Sequence, residues 1–164
     1  MLPDNLKENP VAAAVEGELS AAMLDGRFEH GELTLEIAPA EIVRVCRLLK
    51  QRQQFERLSG VTAVDRYPAE PRFEVVYHLH SVGKNQRVRL KCRLGGEAPE
   101  IDSVTGVWRG ADWYEREVYD LFGVVFRGHP NLRRILMPDN WVGHPLRKDY
   151  PVHGYKYSYA EPES

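Results

Sequence analysis

The sequence predicts an α+β fold: a two-layer sandwich in which a mixed or antiparallel sheet carries helices on one face, in the order α-β-β-α-β-β-β. A short charged helix and an extended C-terminal arm follow. Three observations lead there. Phe73, Val75, Tyr77 and Leu79 alternate with polar or opposite-face residues, as do Val88, Leu90, Cys92 and Leu94 across Gly83-Lys84-Asn85, the pattern of an antiparallel pair with one buried face. Two upstream segments repeat apolar residues at helical spacing. Prolines at 130, 138, 145 and 151 keep the end of the chain from forming a long helix.

The first helix is expected between Glu8 and Leu24, where Val11, Ala12, Val15, Leu19, Ala22 and Met23 recur, with Gly17 as a weak point. Asp25-Gly26 reads as a turn, and Leu33-Thr34-Leu35-Glu36-Ile37 as a strand, with Arg27 to His30 as its hairpin partner. Pro39 suits the first turn of a second helix and Glu41 its positive end. Ile42, Val45, Cys46 and Leu49 form its apolar stripe, and Ser59-Gly60 its expected end. Val61 to Tyr67 is a short strand stopped by the Pro68 to Pro71 turn, and the hairpin described above completes the sheet. On the reverse face of its second strand stand Arg87, Arg89, Lys91 and Arg93, placing that face in water.

At 164 residues the chain is large enough for a core that needs neither metal nor disulfide. Residues 1–123 are read as the α+β domain, including the charged helix, and 124–164 as a partner-docking arm and tail. A net charge of -2 argues against a nucleic-acid binder, which is usually strongly basic. Cys46 and Cys92 form no C-x-x-C pair and fall short of the four thiolates an iron–sulfur cluster usually takes, so they read as small buried residues. No secretory signal and no apolar run near the roughly 18 residues of a membrane span is visible. His78 and His80 share a strand face, but no third residue stands at a spacing that would complete a metal site.

The stretch from Ala111 to Pro151 carries the most information. It opens with Asp112-Trp113-Tyr114-Glu115-Arg116-Glu117-Val118-Tyr119-Asp120-Leu121-Phe122-Gly123. Asp112 with Glu115 reads as a capping box, Gly123 as the C-terminal stop, Tyr114, Val118, Leu121 and Phe122 as the apolar stripe, and Arg116 with Asp120 as a surface pair. Two copies of one cassette follow, Gly128-His129-Pro130 through Arg133-Arg134 and Gly143-His144-Pro145 through Arg147-Lys148. Arg127, Arg133, Arg134, Arg147 and Lys148 are opposed up to that point only by Asp139, a locally basic strip suited to an acidic partner or lipid headgroups. Tyr155, Tyr157 and Tyr159 give the tail an aromatic, anchor-like composition. The residues alone leave three readings open: a solvated amphipathic helix, a docking surface, or hydrolysis by Glu115, Glu117 and His129.

These residues resemble a known family, the C subunit of respiratory complex I, the NADH:quinone oxidoreductase. Its Glu-Arg-Glu-x-x-Asp signature is matched by Glu115-Arg116-Glu117 and Asp120, then His129, then Arg133-Arg134-Ile135-Leu136, and its second block by Gly143 to Pro151. Asn131 stands where many relatives have Asp. The resemblance implies a non-catalytic component of the peripheral arm, beside the quinone-reducing module, in a complex that moves electrons from NADH to quinone coupled to ion translocation. It implies no cofactor in this chain, with flavin, iron–sulfur clusters and quinone on neighbouring subunits. The implied partners are the large quinone-site subunit and the cluster-bearing subunits, with no nucleic acid. Membrane association is then indirect, on the cytoplasmic side. The residues expected at partner contacts are Glu115, Arg116, Glu117, Asp120, His129, Arg133, Arg134, His144, Arg147, Lys148 and Tyr150. Membrane-bound hydrogenases and photosynthetic ferredoxin-linked complexes contain subunits with a similar signature and are the alternative setting.

Overall fold

The structure, a computed structural model, describes residues 4–154; the tail tyrosines 155, 157 and 159 lie outside them. The elements are α1 (Asp4–Lys7), α2 (Pro10–Glu18), β1 (Met23–Glu29), β2 (Glu32–Ile37), a 3₁₀ turn (Pro39–Glu41), α3 (Ile42–Arg52), β3 (Arg57–Asp65), β4 (Phe73–Ser81), β5 (Gln86–Leu94), β6 (Glu100–Asp102), α4 (Ala111–Phe122) and β7 (Val125–Arg127). The main sheet runs β1-β2-β5-β4-β3. It is mixed: β2 and β5 pair parallel, and every other neighbour pair is antiparallel. The expected α+β sandwich and its element order are therefore present.

The alternating residues land as the pattern dictates. Leu33, Leu35 and Ile37, Phe73, Val75, Tyr77 and Leu79, and Val88, Leu90, Cys92 and Leu94 are all buried on one face. They form one cluster with Val11, Ala12 and Val15 of α2, Ile42, Val45, Cys46 and Leu49 of α3, and Val118 and Phe122 of α4. The other face is a lattice of ion pairs: Arg89 with Glu32, Arg93 with Glu36, and Lys91 with Glu74. Arg66 also reaches Glu74.

Several boundaries differ from expectation, each for a physical reason. The helix expected between Glu8 and Leu24 is α2, which starts at Pro10, after Asn9 has capped it by accepting from the Val11 and Ala12 amides, and ends at Glu18. Asp25-Gly26 is no turn; the register shifts beside it within β1, and a Cβ on Gly26 would stand 2.7 Å from Leu6 Cδ1, so glycine lets α1 pack on the strand. The chain reverses instead at His30 and Gly31, whose φ values of 53° and 78° match a two-residue hairpin turn that needs both positive. The helix expected to run to Ser59-Gly60 is α3, which stops at Arg52, seven residues before Ser59. Gln54 turns left-handed (φ 62°) and the Phe55 amide returns to the Leu49 carbonyl, carrying Phe55 into the core. Ser59-Gly60 marks an irregularity in β3, a usual role for glycine in a strand. The short parallel pair β6 and β7, which brackets α4, has too few residues to show a period.

Candidate functional site

The charged helix is built differently from the expected surface element. Gly110 precedes it with no side-chain cap, so Asp112 and Glu115 form no capping box. Glu115 is fully buried and points to the segment ahead of the helix: its carboxylate accepts from Ser103 Oγ (2.6 Å) and the Val104 amide (2.7 Å). Burial raises its pKa to about 7 despite those two bonds. Arg116 and Asp120 do not pair with each other either. The Arg116 guanidinium donates to the Arg133 and Arg134 carbonyls (3.1 and 3.0 Å) and lies 5.3 Å from the Trp113 ring centroid.

Asp120 is the hub. Completely buried, it receives the Ile135, Leu136 and Met137 amides on one carboxylate oxygen (3.1, 2.7 and 2.8 Å) and Arg134 Nη1 on the other (2.7 Å). Burial alone would raise its pKa, but these bonds outweigh it and hold the carboxyl below its ordinary range. The other end of the Arg134 guanidinium donates to the Trp141 and Gly143 carbonyls. One buried ion pair thus ties α4 to three separate points of the arm.

The repeated cassette acquires a structural meaning. His129 Nδ1 accepts from the Asn131 amide (3.0 Å), which leaves Nε2 as the donor, 3.2 Å from the Asp112 carbonyl. Because the amide of residue 131 makes this bond, it does not depend on whether the side chain is Asn or Asp. His144 Nδ1 donates to the Asp120 carbonyl (2.8 Å), and burial lowers its pKa, favouring the neutral ring. The two histidines therefore clip the arm to α4 at positions eight residues, about 12 Å, apart. Gly128 and Gly143 enter each clip with φ near 80°, a conformation glycine adopts freely. Gly123, also left-handed, leaves room for the second clip: a Cβ there would meet Arg147 Nη2 at 2.5 Å and His144 Cδ2 at 2.6 Å.

The arm continues across the molecule. The Leu146 amide bonds the Leu121 carbonyl (3.0 Å) and Arg147 Nε the Phe122 carbonyl (2.6 Å). Its far end reaches the loop between β3 and β4, where Arg72 donates to both Asp65 oxygens (2.9 and 2.8 Å) and both Asp149 oxygens (3.1 and 2.6 Å). The Lys148 amide also bonds Asp65 (2.8 Å), and Tyr150 Oη donates to the Val142 carbonyl. The bonds from Arg72 hold the Asp65 carboxyl well below the usual range. The sequence alone does not single out Arg72, Asp65, Asp149 or Ser103. Arg72 and Asp65 stand as isolated charges at or beside strand ends, Asp149 just after the second cassette and Ser103 as a lone hydroxyl, and the partners named above lie 7 to 83 residues away, at separations no local rule specifies.

Of the eleven residues expected at partner contacts, Glu115, Arg116, Asp120, His129, Arg134, His144 and Arg147 bond within the chain through their side chains, as does Tyr150. Glu117, Arg133 and Lys148 are exposed. Glu115, Glu117 and His129 do not converge: Glu115 faces Ser103, Glu117 faces solvent and His129 faces Asp112. No general acid and base share a reaction space there. Among the described residues no group of three His, Cys, Asp or Glu side chains is placed to hold a metal ion. No helix among them is long and apolar enough to cross a membrane.

Residues 35–156 match the family model described as the respiratory-chain NADH dehydrogenase 30 Kd subunit. The NADH-quinone oxidoreductase C 2 subunit of Rhizobium meliloti is 47% identical over 152 residues, covering 91% of this chain and 83% of that protein. The NADH-quinone oxidoreductase C subunit of Geobacter sulfurreducens is 48% identical over 149 residues, covering 90% and 92%. The chain belongs to the family of NADH-quinone oxidoreductase C subunits. Two solved structures bear on the family fold. A trypsin-resistant fragment (1-134) of Nqo5 is 33% identical, with a TM-score of 0.58 over 62% of this chain and 83% of that one. A chain of the membrane-bound sulfane sulfur reductase, an archaeal respiratory membrane complex, is 26% identical, with a TM-score of 0.70 over 89% and 86%. The second match spans more of the chain than the fragment does, so it extends beyond the part that the fragment shares.

Proposed function

We propose that this chain is a non-catalytic peripheral-arm subunit of an NADH:quinone oxidoreductase, in contact with the large quinone-site subunit and the cluster-bearing subunits. Its neighbours then carry flavin, iron–sulfur clusters and quinone, and the chain sits on the cytoplasmic side of the membrane, attached through the complex. The observation that carries this reading is the use of the family signature: Glu115, Arg116 and Asp120 bond to the chain's own irregular segments and, among the described residues, do not converge with Glu117 or His129 on a reactive set. The 47–48% identities to NADH-quinone oxidoreductase C subunits favour this setting over a hydrogenase or ferredoxin-linked complex.

The test is deletion and complementation. Cells lacking the chain are expected to lose the assembled complex and its NADH:quinone activity, and the full chain to restore both. Assembly and activity at the parental level without it would refute the proposal. A purified isolated chain is expected to show no NADH oxidation and no hydrolase turnover.

A further inference from the structure

At the end of the sheet away from α4, the β1–β2 turn, the β4–β5 turn, Phe55 and the start of α2 surround a cavity of about 360 Å³. That falls within the usual size of small-molecule pockets, about 300–1,000 Å³. Its floor is apolar: Val11 of α2, Leu33 of β2, Phe55 and Val88 of β5 line it, each at most 4% exposed. Phe28 pairs with Leu33 across β1 and β2, and so shares its sheet face, yet stays 44% exposed in the cavity wall. An aliphatic floor with an open aromatic wall gains free energy when an apolar body covers it. A flat protein surface would bridge the rim and leave the floor bare, so the recess suits a small body.

The charge beside the recess indicates what that body carries. Arg87 lines the cavity and also a second depression of about 260 Å³ on the reverse face of the sheet, where Ser59, His78 and Arg89 are further walls. Register places Arg57 of β3, His80 of β4 and Arg87 of β5 side by side in one cross-strand row. No carboxylate stands in that row. The two nearest in the fold are engaged elsewhere: Glu32, which lines both depressions, pairs with Arg89 (2.8 Å), and Glu56 accepts the Val82 amide (2.7 Å). Among the described residues neither Arg57 nor Arg87 has an ion-pair partner, and His80 Nε2 is enclosed without a hydrogen bond. A guanidinium fork matches the oxygens of a carboxylate or a phosphate. From an apolar recess that opens beside two guanidiniums lacking an anion, we propose that this end of the sheet binds a small amphipathic oxyanion. Its acyl or aromatic body fills the recess over Phe55 and against Phe28, and its carboxylate or phosphate head meets Arg87, with Arg57 and His80 next in the row. The site goes beyond the reading under Proposed function and uses none of the residues of α4 or the arm.

The experiment titrates the full, isotope-labelled chain with three probes, hexanoate, hexyl phosphate and the neutral hexanol, and follows the backbone amides by NMR. Hexanoate is expected to give saturating shifts centred on Phe28, Gly31, Phe55, Gln86 and Val88, and to bind more tightly than hexanol. Arg87→Gln should weaken hexanoate at least about threefold, the scale of one exposed ion pair, and leave hexanol unchanged. Arg109→Gln, an exposed cation next to α4, should change neither. Phe28→Ser should weaken all three probes. Gln86→Trp, at an exposed position of the cavity wall, should block them even if the Phe28 variant does not fold. Whichever of hexanoate and hexyl phosphate binds more tightly identifies the preferred head, and either order upholds the site. Equal affinity for hexanoate and hexanol, indifference to Arg87→Gln, or shifts confined to the reverse face with none at Phe28 and Phe55 would each overturn it. Because the titration needs no sibling subunit, its failure leaves membership of the complex untouched.

Discussion

The β4–β5 hairpin and the arm that follows α4 are ordered by opposite means. In the hairpin, nine consecutive residue pairs keep register from Phe73 opposite Leu94 to Ser81 opposite Gln86, and every second side chain enters the core. Its order is distributed, so each residue contributes a little burial and each backbone group joins a ladder. In the arm, order is concentrated in a few charged or imidazole side chains that bond backbone groups: Arg116, Asp120, Arg134, His144 and Arg147. A buried charge with several hydrogen bonds can hold an irregular segment rigid, at the risk that losing one partner leaves the other buried and uncompensated.

The sharpest way to separate the two regions is Asp120→Ala. It deletes the acceptor for three amides and leaves Arg134 largely enclosed without its counter-ion, a loss of about 3–5 kcal/mol that should be concentrated in the arm and visible as protease cleavage there before the domain melts. Leu90→Ala in the hairpin costs about 2–5 kcal/mol through lost burial and a cavity. It should lower stability globally, with hairpin and arm melting together in a denaturant titration monitored by separate probes.

Glu115 comes next because its effect depends on pH. Its pKa rises from 4.5 to about 7 on folding, so the folded chain binds a proton that the unfolded chain has released across that window. Its stability contribution is present below the unfolded value and is lost as pH rises through about 7, a total of about 3 kcal/mol. Thermal melts between about pH 5 and pH 8 should show this decline, and Glu115→Gln should flatten it, since a glutamine can still accept from Val104 and donate to Ser103. The smallest effect is expected for Asp149→Ala. Asp149 is nearly half exposed, so its loss costs under about 1 kcal/mol while Arg72 keeps Asp65, and urea midpoints should barely move. A large shift there would mean that the far clamp, not the Asp120 hub, dominates the arm.

The same contrast explains what was legible. Val75, Tyr77, Leu90 and Cys92 announced their strand and their face, because burial repeated over a period leaves a pattern in sequence. Gly123 announced the end of α4 because a left-handed cap favours glycine. Asp120, Arg116 and Glu115 stand out in the sequence as a signature, but periodicity assigns them a solvated face, a local pair and a cap. Their actual partners, Ile135 to Met137, the Arg133 and Arg134 carbonyls, and Ser103 with Val104, are backbone groups or short polar side chains at separations no local rule specifies. The doubled Gly-His-Pro cassette was visible as a repeat, whereas its use as two clips on one helix required the fold. Ser59-Gly60 and Asp25-Gly26 misled for a related reason: the residues that make a turn also make a strand irregularity, and only pairing partners distinguish them.

Native-state hydrogen exchange on the full chain, wild type against Asp120→Ala, tests most directly whether this buried carboxylate orders the arm. The expected result is a loss of protection at the Ile135, Leu136, Met137 and Leu146 amides, with β4 and β5 amides protected as in the wild type. Unchanged protection in the arm, or an equal loss in the hairpin, would contradict it.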